Sequence, residues 1–323
     1  MTDLELVAHI KSRARELGFA ACGIASLEPV ASHSHLEEWL ASGFHAEMNW
    51  MAKPESVWKR EDAHRVLDGA QTAICVALHY RTDENWDEAS HGKVARYARG
   101  VDYHDVIVPR LRELLAFIQK LTPCNGRAYS DTGPILERDL ARRAGIGWVG
   151  KNTMLLSREL GSYFLIGELL IDIELPSDRP HWENFCGSCT RCMDACPTNA
   201  FEAPFILNAN KCISYQTIES RERLPNTSST RFGDWVFGCD ICQEVCPWNN
   251  KSAHRSQEIT LWSRDDLPTL HEMLFASQAE LSPKLRRSPL KRAKRRGLRR
   301  NALAVLKNRR AGKLRVLDVE EQI

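Results

Sequence analysis

In residues 4–17 apolar side chains return every three or four positions, the period of a helix with one buried face. The run Phe19-Ala20-Ala21-Cys22-Gly23-Ile24-Ala25 is short and nearly unbroken, so it reads as a buried strand. Residues 35–41 suit a second short helix ended by Gly43, and residues 70–80, with Thr72, Ile74, Val76 and Leu78, a core strand. Residues 102–121 predict a long helix whose stripe is Val106, Ile107, Leu111, Leu114, Leu115 and Ile118, with Pro123 beyond its end. A strand at 127–130 then runs into Asp131-Thr132-Gly133-Pro134. Pro134 suits the first turn of a helix continuing to Ala144, with Asp131 or Thr132 near its N-cap. Residues 152–156 and 162–175 read as two strands joined by a turn at Leu160-Gly161. This alternation predicts an α/β or α+β domain with a covered sheet, closed by the composition change at Pro176-Ser177-Asp178-Arg179-Pro180.

The polar pattern changes again near the C-terminus. Of 44 Lys and Arg, fifteen lie between Lys284 and Arg315, where there is no Asp or Glu; this leaves 29 basic against 42 acidic residues elsewhere. A basic module is thus attached to an acidic body, although the formal net charge is only +2. Leu298, Ala302, Leu303, Val305 and Leu306 recur at helical spacing within it, which predicts an amphipathic helix with a basic face suited to phosphate contacts. At 323 residues and 43% hydrophobic content the chain can hold two or three domains with a sizeable core. The best membrane candidate, residues 163–175, is interrupted by Glu168, Asp172 and Glu174, and the acidic, polar N-terminus is unlike a signal peptide. A cytoplasmic protein without a membrane partner is expected.

Eight of eleven cysteines carry the strongest chemical signal. Cys186, Cys189, Cys192 and Cys196 precede Pro197 with the spacing C-x2-C-x2-C-x3-C-P; Cys212, Cys239, Cys242 and Cys246 form a second set before Pro247. In two-cluster ferredoxins the fourth cysteine of such a run ligates the other cluster. That rule gives Cys186, Cys189, Cys192 and Cys246 to one cluster and Cys196, Cys212, Cys239 and Cys242 to the other. Zinc fits poorly, because three closely spaced thiolates on one loop exceed the usual paired knuckles. Disulfides require an oxidising compartment. Cys22, Cys75 and Cys124 stand singly and read as small hydrophobes.

Three stretches resemble the motifs of epoxyqueuosine reductases: Lys93-Val94-Ala95-Arg96-Tyr97-Ala98-Arg99-Gly100-Val101-Asp102-Tyr103-His104-Asp105, Tyr129-Ser130-Asp131-Thr132-Gly133-Pro134, and Arg143-Ala144-Gly145-Ile146-Gly147-Trp148-Val149-Gly150-Lys151-Asn152. Cys186-Gly187-Ser188-Cys189-Thr190-Arg191-Cys192 and Lys211-Cys212-Ile213-Ser214-Tyr215 match in order, and the resemblance spans roughly residues 5–310. It implies an α+β chain in three parts. Residues 1–175 would be a cobalamin-binding catalytic domain like that of nitroreductases and reductive dehalogenases. Residues 176–255 would be a ferredoxin-like module with two [4Fe–4S] clusters, and 256–323 a basic, tRNA-binding set of helices, HEAT-like and truncated.

The implied reaction reduces the epoxide of epoxyqueuosine, in the anticodon stem-loop of tRNA, to the alkene of queuosine. Asp131 is implied as the proton donor, a role compatible with helix capping. Arg60, Asp131, Leu155, Ile166, Ser214 and Asp240 are implied cobalamin contacts; Lys151, Arg295, Arg296, Arg299 and Arg300 are the candidate nucleic-acid contacts. His79 and His104 read as hydrogen-bonded structural histidines. Some family members have a cysteine where Ala95 stands, so a cobalt face without thiolate is expected here. An external donor such as a flavodoxin or ferredoxin, and a monomeric state, complete the expectation. A cobalamin-dependent reductive dehalogenase and a non-catalytic electron-transfer or tRNA-binding module are the alternatives.

Overall fold

The computed structural model describes residues 1–28, 32–82, 85–222, 224, 230–252 and 254–320. Helix α1 (Asp3–Glu16) starts at a capping box in which Thr2 and Glu5 satisfy each other's backbone N–H groups. It leads into β1 (Ala21–Ser26), then α2 (His33–Ala41), α3 (Pro54–Glu61), β2 (Thr72–His79), a single-turn α4 (Glu88–His91), β3 (Lys93–Val94) and α5 (His104–Leu121). The domain continues through β4 (Gly126–Tyr129), α6 (Glu137–Arg143), β5 (Trp148–Val149), β6 (Leu155–Leu156) and β7 (Phe164–Ile171).

The main sheet has the order β1-β2-β7-β4 and is antiparallel throughout. Both faces are covered, so β2 is buried at every position. Ile24, Ile74, Val76, Leu78, Leu169 and Ile171 pack toward α1 and α5, while Ala25, Ala73, Cys75, Ala77 and Leu170 pack with Leu140 and Ala141 of α6. Ile107, Leu111, Leu114 and Ile118 of α5 are fully buried, each contributing on the order of 1.5–3 kcal/mol. Gly167 permits this approach: a Cβ there would lie 2.5 Å from Ile107. At the other side, a Cβ on Gly23 would meet the Ala144 carbonyl at 2.0 Å.

Two local expectations are corrected. Residues 152–156 and 162–175 do not form a hairpin: β6 pairs with β5, and β7 runs between β2 and β4, leaving one bridge between Ser157 and Gly161. Asp131 and Thr132 do not cap the following helix either, which begins at Glu137 after Leu136. Asp131 instead has φ 64°, a left-handed conformation that an aspartate tolerates better than most residues.

The segment expected as a boundary is fastened to the sheet. Asp178 accepts from the Ile24 N–H at 2.7 Å and from Lys11 at 2.5 Å. Beyond it come α7 (Arg191–Asp194), β8 (Phe201–Ala203), β9 (Ile206–Leu207), α8 (Ile213–Ile218), β10 (Trp235–Phe237), α9 (Ile241–Glu244) and α10 (Pro247–Lys251). Strand β10 pairs in parallel with β3, joining the cysteine-rich segment to the preceding sheet domain.

Helices α11 (Leu270–Phe275) and α12 (Gln278–Leu285) both start at capping boxes, and α13 (Lys294–Glu320) closes the described chain. Leu298, Ala302 and Val305 of α13 are buried with Val94, Val236 and Phe237, whereas Leu303 and Leu306 are exposed, so the apolar stripe is narrower than expected. Asn301 donates to the Thr217 and Val236 carbonyls at 2.7 and 2.9 Å, fixing the helix against α8 and β10. Among the described residues no helix is long and apolar enough to cross a membrane.

Candidate active site and cluster ligands

The loop after β4 presents Asp131. Ser130 donates to the Ile166 carbonyl at 2.8 Å, which ties the loop to β7, and the Asp131 N–H donates to Glu137 Oε1 at 2.5 Å. Gly133 lets the turn close, since a Cβ there would lie 2.7 Å from the Tyr129 ring. The backbone is held while the Asp131 side chain remains 68% exposed. That combination suits a carboxyl that must meet an incoming molecule.

The start of α5 supplies its neighbours. Tyr103 donates its hydroxyl to Asp131 Oδ2 at 3.1 Å, and His104 Nε2 lies 3.8 Å from the same oxygen. His104 Nδ1 lies 2.7 Å from Asp102 Oδ1, and Lys291 Nζ is 2.7 Å from Asp102 Oδ2. Burial works against a charged His104, but the Asp102 bond and the Asp102 and Asp131 charges outweigh it and raise the imidazole above its ordinary value. Asp102 shows the converse: burial favours its acid form, yet the bonds from His104 and Lys291 hold it well below the carboxylate range. Burial and the Asp131 charge push Tyr103 upward, so it stays a proton-bearing donor. His104, expected as a structural histidine, therefore stands between a buried acid and an exposed one. Its signal in the sequence was the Asp-x-His spacing, which reads equally well as a local turn.

Two further carboxyls lie behind this loop. Glu168 of β7 is fully buried, and among the described residues no N–H or O–H group donates to either of its oxygens. Its carboxyl meets that of Glu137, a contact that becomes a hydrogen bond only when one group carries a proton. Burial first, and then the Asp131 charge, raises Glu137; burial and Glu137 raise Glu168. Arg60 of α3 is in electrostatic reach of Glu137 and donates to the Ser56 carbonyl. Leu155 and Ile166 both pack into the apolar cluster on the α6 side of the sheet.

In the cysteine-rich segment, folding brings the thiols into two groups. Cys192 is an electrostatic neighbour of Cys186 and Cys246, and Cys246 of Cys186 and Cys189. Cys239 neighbours Cys212 and Cys196, and Cys242 neighbours Cys239 and Cys212. Burial, assisted by Cys186, pushes the Cys192 thiol up to about 11; thiols so crowded ionise readily only against a cationic centre. Among the described residues no three Cys, His, Asp or Glu side chains converge to hold a single metal ion. The all-thiol donor set suits iron–sulfur clusters.

Asp240 is buried beside Cys239. It accepts from the Arg96 N–H at 2.7 Å and from Gln243 at 3.2 Å, and its acid form is favoured by burial. The Ser214 N–H points at the Cys212 sulfur. Ala95 is buried against Gly238, where a Cβ would lie 2.5 Å from its methyl group. His79 is buried near the Leu160 carbonyl, and burial followed by His254 depresses it to about 3, so it is neutral.

The candidate nucleic-acid contacts divide. Arg296 and Arg299 are exposed. Arg295 donates to the Ala276 carbonyl at 3.0 Å, and Arg300 donates to the carbonyls of Gln216, Ser220 and Glu222, so both guanidinium groups brace the fold. Lys151 donates to the Gly187 and Cys189 carbonyls at 2.6 and 3.0 Å, bracing the cluster loop. A groove of 780 Å³ between α12 and the start of α13 is lined by Arg286, Lys291, Lys294 and Arg295. Lys291 thus borders both the groove and Asp102.

Comparison with known proteins agrees with this arrangement. Residues 185–249 match a family described as "4Fe-4S double cluster binding domain", and residues 60–132 match "Epoxyqueuosine reductase QueG, DUF1730". An epoxyqueuosine reductase of Synechocystis sp. is 41% identical over 288 residues, covering 88% of this chain and 98% of the relative. That of Gloeobacter violaceus is 41% identical over 309 residues, covering 93% and 95%. A crystal structure of epoxyqueuosine reductase with an epoxyqueuosine-modified tRNA-Tyr stem loop has a TM-score of 0.86 at 30% identity, over 95% of this chain and 82% of that one. The Streptococcus thermophilus structure has a TM-score of 0.83 at 27% identity, over 98% and 85%. The likeness runs through the sheet domain, the cysteine module and the following helices, and the chain belongs to the epoxyqueuosine reductase family of oxidoreductases.

Proposed function

We propose that this chain reduces the epoxide of epoxyqueuosine at the wobble position of a tRNA anticodon to the alkene of queuosine. The observation that carries the reading is Asp131: an exposed carboxyl on a braced turn, backed by Tyr103 and the His104–Asp102 pair, in a chain that also holds two groups of cluster-type thiols. Converting an epoxide to an alkene and water consumes two electrons and two protons. The thiol groups serve the electrons, through a [4Fe–4S] cluster on Cys186, Cys189, Cys192 and Cys246 and another on Cys196, Cys212, Cys239 and Cys242. Asp131 serves the protons, with His104, whose proton the Asp102 bond helps to hold, beside it to stabilise the carboxylate left after each transfer.

The residues present also fit a cobalamin. Among the described residues Arg96 Nε and His104 Nε2 are buried and make no hydrogen bond, and donors of this kind are ones that a cofactor rimmed with amides can engage. Arg60, Leu155, Ile166, Ser214 and Asp240 would hold it between Asp131 and the clusters. Bound there, it would supply a cobalt centre able to take single electrons and react with a strained epoxide.

The basic groove beside Lys291, with Arg296 and Arg299 exposed on α13, supports a tRNA substrate, as does the stem loop held by the related crystal structure. In this reading residues 1–175 carry the chemistry, 176–255 the clusters, and 256–323 a HEAT-like grip on the anticodon arm. The enzyme acts as a cytoplasmic monomer fed by a flavodoxin or ferredoxin. The test is to incubate the anaerobically reconstituted, reduced protein with epoxyqueuosine-containing tRNA and follow queuosine by mass spectrometry. Formation of queuosine only with cobalamin present is the expected result; no conversion under those conditions refutes the reading.

A further inference from the structure

A fully buried carboxylate without any donor costs several kcal/mol, and ordinarily it is neutralised by a cation or a proton. Among the described residues no cation is bonded to Glu168, and its carboxyl contact is Glu137. Glu137 in turn accepts from the Asp131 backbone at 2.5 Å. Glu168, Glu137 and the exposed Asp131 therefore form a row of acids from the middle of β7 to the surface, Glu137 meeting Asp131 at its backbone N–H, and such a row cannot ionise completely. The charged and titratable groups facing the pair are Asp131, Arg138 of α6, Arg60 of α3, Tyr103 and Cys75 of β2. Arg138 is exposed and donates to the Thr153 carbonyl, and Arg60 donates to Ser56, so neither guanidinium is bonded to Glu168.

We infer that Glu137 and Glu168 share a proton and form the store from which Asp131 is reprotonated within one turnover. The inference rests on the epoxide-reducing reading. As the first C–O bond breaks, Asp131 gives its proton to the epoxide oxygen, which becomes a hydroxyl. A proton then passes from the Glu137–Glu168 pair to the Asp131 carboxylate. Asp131 delivers it to the hydroxyl as the second C–O bond breaks, so that oxygen leaves as water and the C=C bond closes. The two electrons come from the reductant through the clusters, and solvent reprotonates the pair after the product leaves. Substrate covering Asp131 shuts out water, so the second proton has to come from inside the fold. Glu137 and Glu168 act through Asp131, as positioning residues for its proton.

Infrared spectroscopy on the cluster-loaded protein labelled with ¹³C-carboxyl glutamate tests the store directly. At pH 7 the protein should show a protonated-carboxyl stretch that shifts with the label and disappears in Glu168→Gln. In single turnover with the epoxyqueuosine stem loop, Glu168→Gln and Glu137→Gln should keep full iron content yet slow the reaction by about ten-fold or more, with the rate declining from a lower pH than in the wild type. A wild-type protein with no protonated glutamate at pH 7 overturns the store whatever happens to the epoxide. A Glu168→Gln enzyme with wild-type rate and pH profile overturns it as well. Absence of any wild-type turnover, with the band present, refutes the epoxide reading instead.

Discussion

The ammonium of Lys291 stands 2.7 Å from Oδ2 of Asp102, whose other oxygen is 2.7 Å from His104 Nδ1. A residue of the basic C-terminal segment is thereby bonded into the network behind Asp131. The adjoining backbone reinforces the link, since the Asp102 N–H donates to the Arg287 carbonyl at 2.7 Å. Whatever occupies the basic groove is one side chain away from the acid–base residues.

Lys291→Met should therefore affect chemistry as well as binding. Lys291 is 54% exposed, so its pairing with Asp102 contributes only about 1 kcal/mol to stability. Its loss leaves His104 as the main neutraliser of Asp102, and the imidazole should then titrate at higher pH. NMR titration of His104 should show that upward shift, accompanied by a change in kcat. An unchanged His104 titration would separate the groove from the acid–base network.

Asp131→Asn preserves the shape of the loop and removes the transferable proton. Turnover should fall by about 10²- to 10⁴-fold, the range for loss of a general acid. Iron content and the visible absorption of the clusters should remain, because Asp131 touches none of the eight cysteines. Near-wild-type turnover would assign the proton to another group, with Tyr103 the first to examine.

The contrast between these residues shows which parts of the site the sequence made legible. Cluster ligands are constrained by bond geometry, so Cys186 to Cys196 appear as a fixed spacing in one short segment. Helices α1, α2 and α5 and strands β1 and β2 are legible from hydrophobic pattern, whereas α3, α4 and the short helices of the cysteine-rich segment are too brief to show a period. Glu168 was visible only as an interruption in an apolar strand; a charge at an inward position among Ile166 and Leu170 was the available signal. Lys291 could not be found in this way, because its meeting with Asp102 depends on tertiary packing of segments distant in the chain. β6 was misassigned for a related reason: its partner β5 precedes it by a short turn, and a two-residue strand has no period to read.

The buried acids make a pH prediction with a definite sign. Glu137 is raised from 4.5 to about 7, and Glu168 is raised too, so the folded chain binds protons more tightly than the unfolded one. Their contribution to stability is complete below about 4.5 and is lost as pH rises through about 7, with a limiting slope of about 1.4 kcal/mol per pH unit for one proton. Asp102, depressed in the fold, acts at the acidic end outside this window. His79, depressed to about 3, opposes this trend below about 6.5 and the raised His104 adds to it, so the test is the difference between two proteins: thermal unfolding of the cluster-loaded protein between pH 5 and 8 should show Tm shifting downward with pH more in the wild type than in Glu168→Gln. Parallel Tm curves for the two proteins would contradict a shared buried proton.

The arginines of α13 should separate by what they touch. Arg296→Glu with Arg299→Glu alters exposed charges, so tRNA binding should weaken and its dependence on log salt should flatten by about two phosphate contacts, with Tm nearly unchanged. Arg300→Ala removes bonds to three backbone carbonyls and should lower stability by about 1–3 kcal/mol. Fluorescence anisotropy across a salt series, beside Tm, distinguishes the two. If Arg300→Ala alone flattened the salt dependence, the nucleic-acid face would lie toward α8 instead.

Cys246 provides the sharpest test of how the clusters are shared. It lies in the second cysteine run, yet its thiol neighbours Cys186 and Cys189 of the first. Cys246→Ser should disturb the cluster held by Cys186, Cys189 and Cys192 while Cys196, Cys212, Cys239 and Cys242 retain theirs. Cys196→Ser should do the reverse, although it belongs to the first run. EPR of the reduced variants should show complementary single-cluster spectra, and the interaction between clusters should vanish in both. If instead each substitution disturbed the cluster of its own run, the cysteines would not cross. The electron path would then require a different order of clusters between the surface and Asp240.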